Sequence, residues 1–450
     1  MTSTRRDVLK AAGIGAAGLM LPAALVGEAA AEPSPRALPY RVGQWLPTDQ
    51  AVLDDWLQRT IRAADADPKP LVPVLQELQD LIESDAVLYM NFHRMFEELP
   101  DTKRFRRTPI GTPQVRDYVH MLRLINHVLT TAPEYNRTGL VGFPINAILD
   151  WPMCTQAGID AFLDARVNAQ FQRILDTWAT FLSSPASAYV LGTNPRSGWF
   201  GRDAAAAMPG FADDFVCDPS APHHGFSSWD DFFVRRFRPG RRPVAAPDDD
   251  GVISSACESA PYRIAADVRA LDRFWLKGQA YSLRHMFGDD PIHRTFVGGT
   301  VYQAFLSALS YHRWHAPVNG TIVQVQQIPG SYYAQSPVAG WDPASPNESQ
   351  GFITEVAARA FVVIDADDPR IGRMAFLSVG MAEVSTNEVT VTPGQHVRKG
   401  DQLGMFHFGG STHCLIFRKG VRLEWDLHGQ TPGLEASNIH VNARLATVRA

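Results

Sequence analysis

The sequence predicts an α+β protein in which an N-terminal all-helical domain precedes a mainly β domain. Apolar side chains recur at helical spacing between residues 50 and about 190, whereas short apolar runs separated by turn residues follow from Val244 onward. The chain has 450 residues, 45% hydrophobic and 20% charged, which is the ordinary globular range. A chain of this length can bury a core large enough for two domains or more.

The N-terminus matches an export signal. Arg5 and Arg6 precede an apolar run over residues 11–26, and the small-residue sequence Ala29-Ala30-Ala31 follows. Paired arginines before a moderately apolar run are typical of twin-arginine export, and such segments are removed after export. We therefore expect residues 1–31 to be a signal peptide and the mature protein to be soluble in the periplasm or outside the cell.

A Pro-rich leader, residues 32–49, precedes the predicted helical domain, residues 50–200. The apolar runs at helical spacing lie at residues 51–61, 71–82, 118–125 and 159–182. The aromatic residues Tyr89, Phe92 and Phe96 are expected in the core of this domain rather than around a ligand. Residues 201–224 are dense in Gly, Pro, Asp and Ser and are predicted to be a linker.

The predicted β domain covers residues 225–450. Its strand-like runs lie at residues 251–253, 262–264, 321–325, 361–364 and 374–379, and residues 397–406 form a hairpin-like pair. The apolar run Cys414-Leu415-Ile416-Phe417 predicts a further strand.

Charge and cysteine content exclude some classes of function. The 42 basic and 47 acidic residues give a net charge of -5, and no basic stripe indicates a nucleic-acid partner. The four cysteines, Cys154, Cys217, Cys257 and Cys414, match no zinc signature. We expect them to be buried thiols, although an exported chain permits one or two disulfides.

The sequence Gly409-Gly410-Ser411-Thr412 separates two strand-like runs near the C-terminus. Small residues at such a junction are typical of a tight turn, in which glycine supplies a backbone conformation that other residues resist. The same four residues also match a self-cleavage site at which serine is converted into a catalytic carbonyl.

Other polar residues of the β half provide partners for a reactive serine. Asp250 precedes a strand, and His312 and His315 lead into the turn sequence Pro317-Val318-Asn319-Gly320. A serine nucleophile needs a base, and the base needs an orienting group; Ser411, His315 and Asp250 supply all three. A serine hydrolase is therefore an alternative, although the Gly-x-Ser-x-Gly elbow and the α/β pattern of many hydrolases are missing.

Five sequence elements in one order resemble the phosphatidylserine decarboxylase family of pyruvoyl enzymes. They are residues 229–243 (Trp-Asp-Asp-Phe-Phe-Val-Arg-Arg through Arg-Pro-Gly-Arg-Arg-Pro), Asp250-Gly251, residues 277–283 (Lys-Gly-Gln-Ala-Tyr-Ser-Leu), residues 311–320 (Tyr-His-Arg-Trp-His-Ala-Pro-Val-Asn-Gly), and residues 404–412. Each element alone is modestly specific. Together they favour the interpretation of Gly409-Gly410-Ser411-Thr412 as a self-cleavage site over its interpretation as a simple turn.

The resemblance implies a role for each candidate residue. Asp250, or its neighbour Asp249, would orient His315, which would activate Ser411 to attack the carbonyl of Gly410. Cleavage between residues 410 and 411 would leave a pyruvoyl group on a 40-residue fragment that stays associated with the larger one. This covalent cofactor would form a Schiff base with a substrate amine and release carbon dioxide, with His312 as the proton donor. The family requires no metal.

The resemblance leaves the substrate open between phosphatidylserine and a free amino acid. A helical domain before the catalytic domain is typical of the branch that acts on free aromatic amino acids such as tryptophan, and Cys257-Glu258-Ser259-Ala260-Pro261-Tyr262 also resembles that branch. No basic amphipathic helix beyond the signal indicates contact with a membrane.

A non-catalytic carrier module is a further alternative. Residues 391–401 resemble the strand-turn pattern of biotinyl and lipoyl carrier domains, in which a lysine at a hairpin tip is modified. Lys399 would be that lysine, although it lacks the hydrophobic flanks of such a site.

Overall fold

The N-terminal part of the described chain is helical, as predicted. The computed structural model describes residues 50–99, 115–136, 143–273, 281–307, 309–335, 349–383, 385–407, 411–433 and 435–449. The helices before residue 183 in these ranges are α1 (Gln50–Ala66), α2 (Pro73–Ser84), α3 (Ala86–Glu97), α4 (Tyr118–Val128), α5 (Pro144–Met153), α6 (Gln156–Leu163) and α7 (Ala165–Leu182).

Acidic side chains cap the N-termini of several of these helices. Asp85 accepts hydrogen bonds from the backbone N–H groups of Val87 (2.9 Å) and Leu88 (3.0 Å) at the start of α3. Asp117 accepts one from the N–H of His120 (2.7 Å) at the start of α4. Each such cap stabilises the helix by about 1 kcal/mol, since it satisfies an amide that has no partner within the helix.

Two of the three aromatic residues predicted in the helical core are buried. Phe92 and Phe96 are buried, but Tyr89 is 44% exposed, so its predicted burial is wrong. The ring of Tyr89 packs edge-on against His93 and Tyr118 instead. Tyr89 therefore lies at the surface margin of the core.

The segment predicted as a linker contains short helices, α8 (Arg202–Ala207) and α9 (Phe211–Asp214). Helix α10 (Trp229–Phe233) follows it. Phe211 of α9 stacks on Phe232 of α10 with ring centroids 5.7 Å apart. Aromatic contacts thus hold α9 against the start of the β region.

The C-terminal half is mainly β, as predicted. Its strands are β1 (Val252–Ser254), β2 (Ala260–Ala266), β3 (Thr300–Leu306), β4 (Arg313–His315), β5 (Gly320–Ile328), β6 (Arg359–Ala366), β7 (Arg373–Gly380), β8 (Thr386–Val389), β9 (His396–Val397), β10 (Gln402–His407), β11 (Ser411–Phe417), β12 (Leu423–Trp425) and β13 (Arg444–Val448). Two short helices, α11 (Leu283–Met286) and α12 (Gln350–Val356), lie between strands.

These strands form three antiparallel sheets. The largest has seven strands in the order β2-β3-β11-β7-β6-β5-β9, and the two smaller sheets have the orders β4-β10-β8 and β1-β13-β12. Trp314 of β4 and Phe406 of β10 pack together, and Trp314 also stacks on Phe376 of β7 at 5.2 Å. The β4-β10-β8 sheet therefore lies against one face of the large sheet.

Strand β11 is central to the large sheet and begins at Ser411. All seven of its residues are buried, and it pairs along its whole length with β3 and with β7. Ser411 lies opposite Leu306 on one side and Gly380 on the other. A strand that is covered on both faces has apolar residues at consecutive positions, and residues 414–417 show this pattern in the sequence.

Two further predictions concern targeting and the cysteines. None of the helices in the described ranges is long and apolar enough to cross a bilayer. The predicted signal peptide and leader, residues 1–49, lie outside the described residues. All four cysteines are described and no disulfide joins them. Cys257 and Cys414 are buried, as expected, whereas Cys154 and Cys217 are only partly buried, so their predicted burial is wrong.

Candidate active site

Ser411 is a buried serine at the first position of β11. Its side chain is fully buried, and its hydroxyl oxygen has no hydrogen-bond partner in the described part of the chain. The preceding residues Phe408, Gly409 and Gly410, which include the predicted cleavage position, lie outside the described residues. A buried hydroxyl without a partner is costly, and such groups often have a chemical role.

His312 lies beside the strand that leads to Ser411. Its imidazole is fully buried and stacks on Phe233 of α10, with centroids 4.0 Å apart. The backbone N–H of Phe406 in β10 donates to the carbonyl of His312 at 3.0 Å. The structure therefore places His312 between α10 and the end of β10.

His315 has a fixed orientation at the end of β4. Its Nδ1 lies 2.6 Å from the carbonyl oxygen of Gly400, and its Nε2 lies 2.9 Å from the hydroxyl of Tyr311. Burial lowers the pKa of His315 below its usual range, so the ring is neutral near pH 7. Because a carbonyl only accepts, Nδ1 carries the proton and Nε2 carries the lone pair that a base needs.

Asp250 does not hydrogen-bond directly to His315 in this structure. Its Oδ1 accepts from the side-chain amide of Asn319 at 2.6 Å, and the carboxylate of Asp249 accepts from the backbone N–H of Gly251 at 3.0 Å. The place predicted for a carboxylate at His315 Nδ1 is taken by the backbone carbonyl of Gly400.

Asn319 links Asp250 to the turn that holds His315. While its amide nitrogen donates to Asp250, its amide oxygen accepts from the backbone N–H of Lys399 at 2.7 Å. Lys399 is followed by Gly400, the partner of His315. The contact between the acid and the histidine is therefore indirect. Asn319 was visible in the sequence motif, but nothing there indicated this linking role.

The side chain of Lys399 is buried in the same region. It is 5% exposed, and its ammonium group donates to the carbonyl oxygens of Ala246 (2.5 Å), Asp249 (2.7 Å) and Val252 (3.2 Å). A carrier lysine must stand at an exposed hairpin tip to be modified. The burial of Lys399 contradicts the carrier alternative and shows that this lysine holds the loop around Asp250.

A buried polar network lies beneath the other face of β11. Thr412 donates to the carbonyl of Ala304 and accepts from the side chain of Gln303, both at 3.0 Å, and Tyr281 donates to Gln303 at 2.6 Å. Tyr281 belongs to the sequence element at residues 277–283, of which residues 277–280 lie outside the described residues. The described end of that element therefore supports the strand that carries Ser411.

A cavity of about 280 Å³ opens beside Tyr311. Its lining includes the aromatic rings of Phe211, Phe215 and Phe237 together with Arg242, whose guanidinium lies 4.4 Å from the Phe237 ring centroid. Ser307, the residue after the one that pairs with Ser411, also lines it. Glu258 lines the cavity as well and pairs with Arg242 at 2.9 Å, so the cavity combines aromatic walls with an ion pair near the start of β11.

Glu383 joins the helical region to the loop after β7. Its Oε1 accepts from the backbone N–H of Asn146 at the start of α5 (2.7 Å), and its Oε2 has no hydrogen-bond partner in the described ranges. Burial raises the pKa of Glu383 to about 8. Glu383 lies three residues beyond Gly380, so this contact connects α5 to the neighbourhood of Ser411.

Among the described residues, no group of three or more His, Cys, Asp or Glu side chains is placed so that it could hold a metal ion.

Comparisons with known proteins agree with the sequence motifs. Two family models, both described as phosphatidylserine decarboxylase, match residues 72–208 and 229–437. An L-tryptophan decarboxylase of Psilocybe cubensis is 37% identical over 445 residues, which cover 93% of this chain and 96% of that protein. Decarboxylase iboD of Amanita muscaria is 45% identical over 294 residues, which cover 61% of this chain and 84% of that protein. Phosphatidylserine decarboxylase proenzyme 3 of Schizosaccharomyces pombe is 32% identical over 202 residues, covering 44% of this chain and 20% of that protein.

Replacement of Glu383 by glutamine should change how stability depends on pH. The pKa of Glu383 is about 8 in the folded state, above that of an unperturbed carboxyl group. At a pH between the two pKa values, Glu383 is protonated in the folded state and ionised in the unfolded state. Stability should therefore fall as pH rises towards 8. We expect Glu383→Gln to unfold like the wild type at pH 4.5 and to be more stable at pH 8, by on the order of 1–3 kcal/mol.

Denaturant unfolding monitored by circular dichroism at both pH values measures this difference. Glu97→Gln, at an exposed position on α3, is the matched control and should leave the pH dependence unchanged. An identical pH dependence in Glu383→Gln and wild type would contradict the buried, protonated state of Glu383.

Proposed function

This chain belongs to the phosphatidylserine decarboxylase family and is a decarboxylase; on that premise, we propose that it makes its own catalytic carbonyl by breaking the bond between Gly410 and Ser411. The observation that carries the proposal is the place of Ser411, a buried serine at the first position of an interior strand, whose hydroxyl has no hydrogen-bond partner among the described residues. A hydrolase serine must meet a substrate from solvent. A serine closed off from solvent is better placed to attack the peptide carbonyl that precedes it.

The cleavage can be written with the groups of this chain and one water molecule. The Ser411 hydroxyl oxygen bonds to the carbonyl carbon of Gly410 as the C–N bond breaks, and the hydroxyl proton passes to the nitrogen, which converts the peptide into an ester. Loss of the Ser411 α-proton then breaks the Oγ–Cβ bond and releases Gly410 as a carboxylate. Water replaces the remaining nitrogen, which leaves as ammonia, and residue 411 ends as a pyruvoyl group.

His315 is the proposed base for this reaction. Its neutral ring, with the Nδ1 proton directed at the Gly400 carbonyl, presents the Nε2 lone pair. Tyr311 donates to that lone pair here and would have to yield its place to the serine hydroxyl. Asp250 would act at a distance, through Asn319 and the Lys399-Gly400 turn, rather than as a direct partner of the imidazole.

After cleavage, the carbonyl supplies a ketone that condenses with an amine and accepts the electrons released as carbon dioxide leaves. His312, buried against Phe233, is the proposed proton donor in turnover. Burial of the His312 ring against Phe233 limits the access of water to the carbon that receives the proton.

We infer that the substrate is a free aromatic amino acid, with tryptophan as the first candidate. The similarity to the tryptophan decarboxylase extends through the helical region over 93% of this chain, whereas the similarity to the phosphatidylserine decarboxylase proenzyme covers 44%. The cavity beside Tyr311 supports this class of substrate, since its aromatic walls suit an aromatic side chain. Phosphatidylserine is the alternative.

We also propose that the protein is exported by the twin-arginine route, on the basis of Arg5 and Arg6 and the apolar run that follows.

Purified wild-type protein should separate into two fragments under denaturing conditions. Intact mass should give a large fragment ending at Gly410 and a fragment of residues 411–450 whose N-terminus is blocked by a pyruvoyl group. Ser411→Ala should remain uncut because it has no attacking oxygen, and Ser437→Ala, at an exposed position, should be cut normally. An intact wild-type chain with esterase activity would favour the hydrolase alternative instead.

Loss of the Asn319 side chain should slow the cleavage. Asn319→Ala removes both the contact to Asp250 and the contact to Lys399, so the turn that holds His315 loses its support. We expect cleavage to be about tenfold slower, as for other shifts of a base by a fraction of an ångström. The rate is measured by following the two fragments on gels during cell-free synthesis. Asp249→Ala is the control; a larger effect from that variant would make Asp249 the important acid.

Carbon dioxide release should distinguish the two substrate classes. We expect the cleaved enzyme to release carbon dioxide from L-tryptophan and to produce tryptamine. Its activity on phosphatidylserine vesicles should be at least a hundredfold lower, roughly the factor that corresponds to a loss of a few kcal/mol of transition-state binding. Uncut Ser411→Ala is the blank for both assays. Activity on phosphatidylserine alone would overturn the amino-acid substrate while leaving the decarboxylase chemistry in place.

A further inference from the structure

His407, the last residue of β10, is hydrogen-bonded to a carboxylate at each ring nitrogen. Its Nδ1 lies 3.0 Å from both carboxylate oxygens of Asp230, and its Nε2 lies 2.7 Å from Glu388. The histidine and Asp230 are largely shielded from solvent, with side-chain exposures of 21% and 16%. We refer to Asp230, His407 and Glu388 as the histidine clamp.

The clamp requires a doubly protonated imidazole. Carboxylates only accept hydrogen bonds, and a neutral imidazole has a single N–H, so one of the two carboxylates would then face a lone pair. Burial opposes the charge, but the hydrogen bonds and charges of Asp230 and Glu388 outweigh it and raise the pKa of His407 above its usual value. Arg313 of β4 interacts electrostatically with Glu388, Asp230 and Arg236, so these two arginines also carry charge near the clamp.

The clamp joins three elements near the predicted cleavage position. Asp230 lies on α10, Glu388 on β8 and His407 on β10. Helix α10 also carries Phe233, which stacks on His312, and the carbonyl of His312 accepts from Phe406, the residue before His407. The same helix therefore fixes both the proposed proton donor and the end of β10.

We propose that His407, through this clamp, is a positioning residue for the break between Gly410 and Ser411. The inference rests on the proposed self-cleavage. Three residues separate His407 from Ser411, and Ser411 is itself held between β3 and β7. The chain is thus anchored at His407 on one side of the bond that breaks and at Ser411 on the other.

The clamp predicts a distinctive dependence on pH. A group whose pKa is raised in the folded state contributes its interaction fully below its unfolded value and loses it as pH rises through the folded value. The advantage that His407 gives to cleavage should therefore be greatest at the low end of the range, near pH 6, and should decrease as the pH rises. Other groups, including His315, also titrate, so the informative quantity is the wild-type rate divided by the variant rate at each pH.

The test measures cleavage during cell-free synthesis at a series of pH values from 6 to 9. His407→Gln should be cleaved about ten- to a hundredfold more slowly than the wild type at pH 6, the penalty expected of a misplacement of about 1 Å, and this ratio should fall as the pH rises towards 9. His396→Gln is the matched control, since His396 also hydrogen-bonds to an acid, Asp367 at 2.9 Å, but is half exposed and bonded to a single carboxylate. It should be cleaved like the wild type.

Glu388→Gln separates positioning from general stability. A glutamine amide at this position can donate to the lone pair of a neutral His407 while Nδ1–H still donates to Asp230. Cleavage of this variant should therefore stay fast at high pH, where the wild type slows. A simple packing role for Glu388 would not produce this gain.

The outcomes separate the inference from the function on which it rests. A wild-type chain that is never cut would defeat the proposed function. A wild-type chain that is cut, together with His407→Gln rates within twofold of it at every pH, would overturn the positioning role alone. Should His407→Gln fail to fold by circular dichroism, Glu388→Gln decides: a wild-type pH profile overturns the proposal, and a flat one supports it.

Discussion

The pairing of β11 on both of its edges is the constraint on which the rest of the site depends. Because β3 and β7 bond to the strand along its whole length, its first residue cannot shift without breaking the centre of the large sheet. Burial of Leu415, Ile416 and Phe417 adds about 1.5–3 kcal/mol for each side chain and opposes any slip in register. A slip of one residue would turn Ser411 to the opposite face of the sheet, towards the side where Thr412 bonds to Gln303.

Around this fixed strand, the polar contacts of the site run through the backbone as much as through side chains. His315 is oriented by the carbonyl of Gly400, and Lys399 holds the acidic loop by three carbonyls. Such contacts are rigid because a carbonyl within a folded turn has no rotamers to lose. The helical region takes part as well, since Glu383 bonds to the first turn of α5. That buried carboxyl explains how a domain distant in sequence can influence the end of β7.

The sequence allowed the fold class and a strand at residues 414–417 to be predicted, because long apolar runs and helical spacing are local signals. The structure extends that strand back to Ser411. The sequence did not predict how the acid and the base meet. Asn319 and Gly400 are separated from their partners by 69 and 85 residues, and a backbone carbonyl leaves no trace in composition. His407 was missed for a similar reason, since Asp230 lies 177 residues away. The short helices α8 and α9 were read as linker because each has too few residues to show a periodic pattern.

The place of β11 also bears on what the protein becomes once its chain is cut at residue 410. The C-terminal fragment would contribute β11, an interior strand of the large sheet, together with β12 and β13, while β1, the partner of β13, stays with the other fragment. Folding of the uncut chain is unimolecular, but reassembly of the two fragments would be bimolecular and would depend on concentration. Without β11, the edges of β3 and β7 would be open to pairing with other chains. Denaturation of the mature enzyme should thus be irreversible in practice, and its working lifetime would be set by the rate at which the sheet first opens.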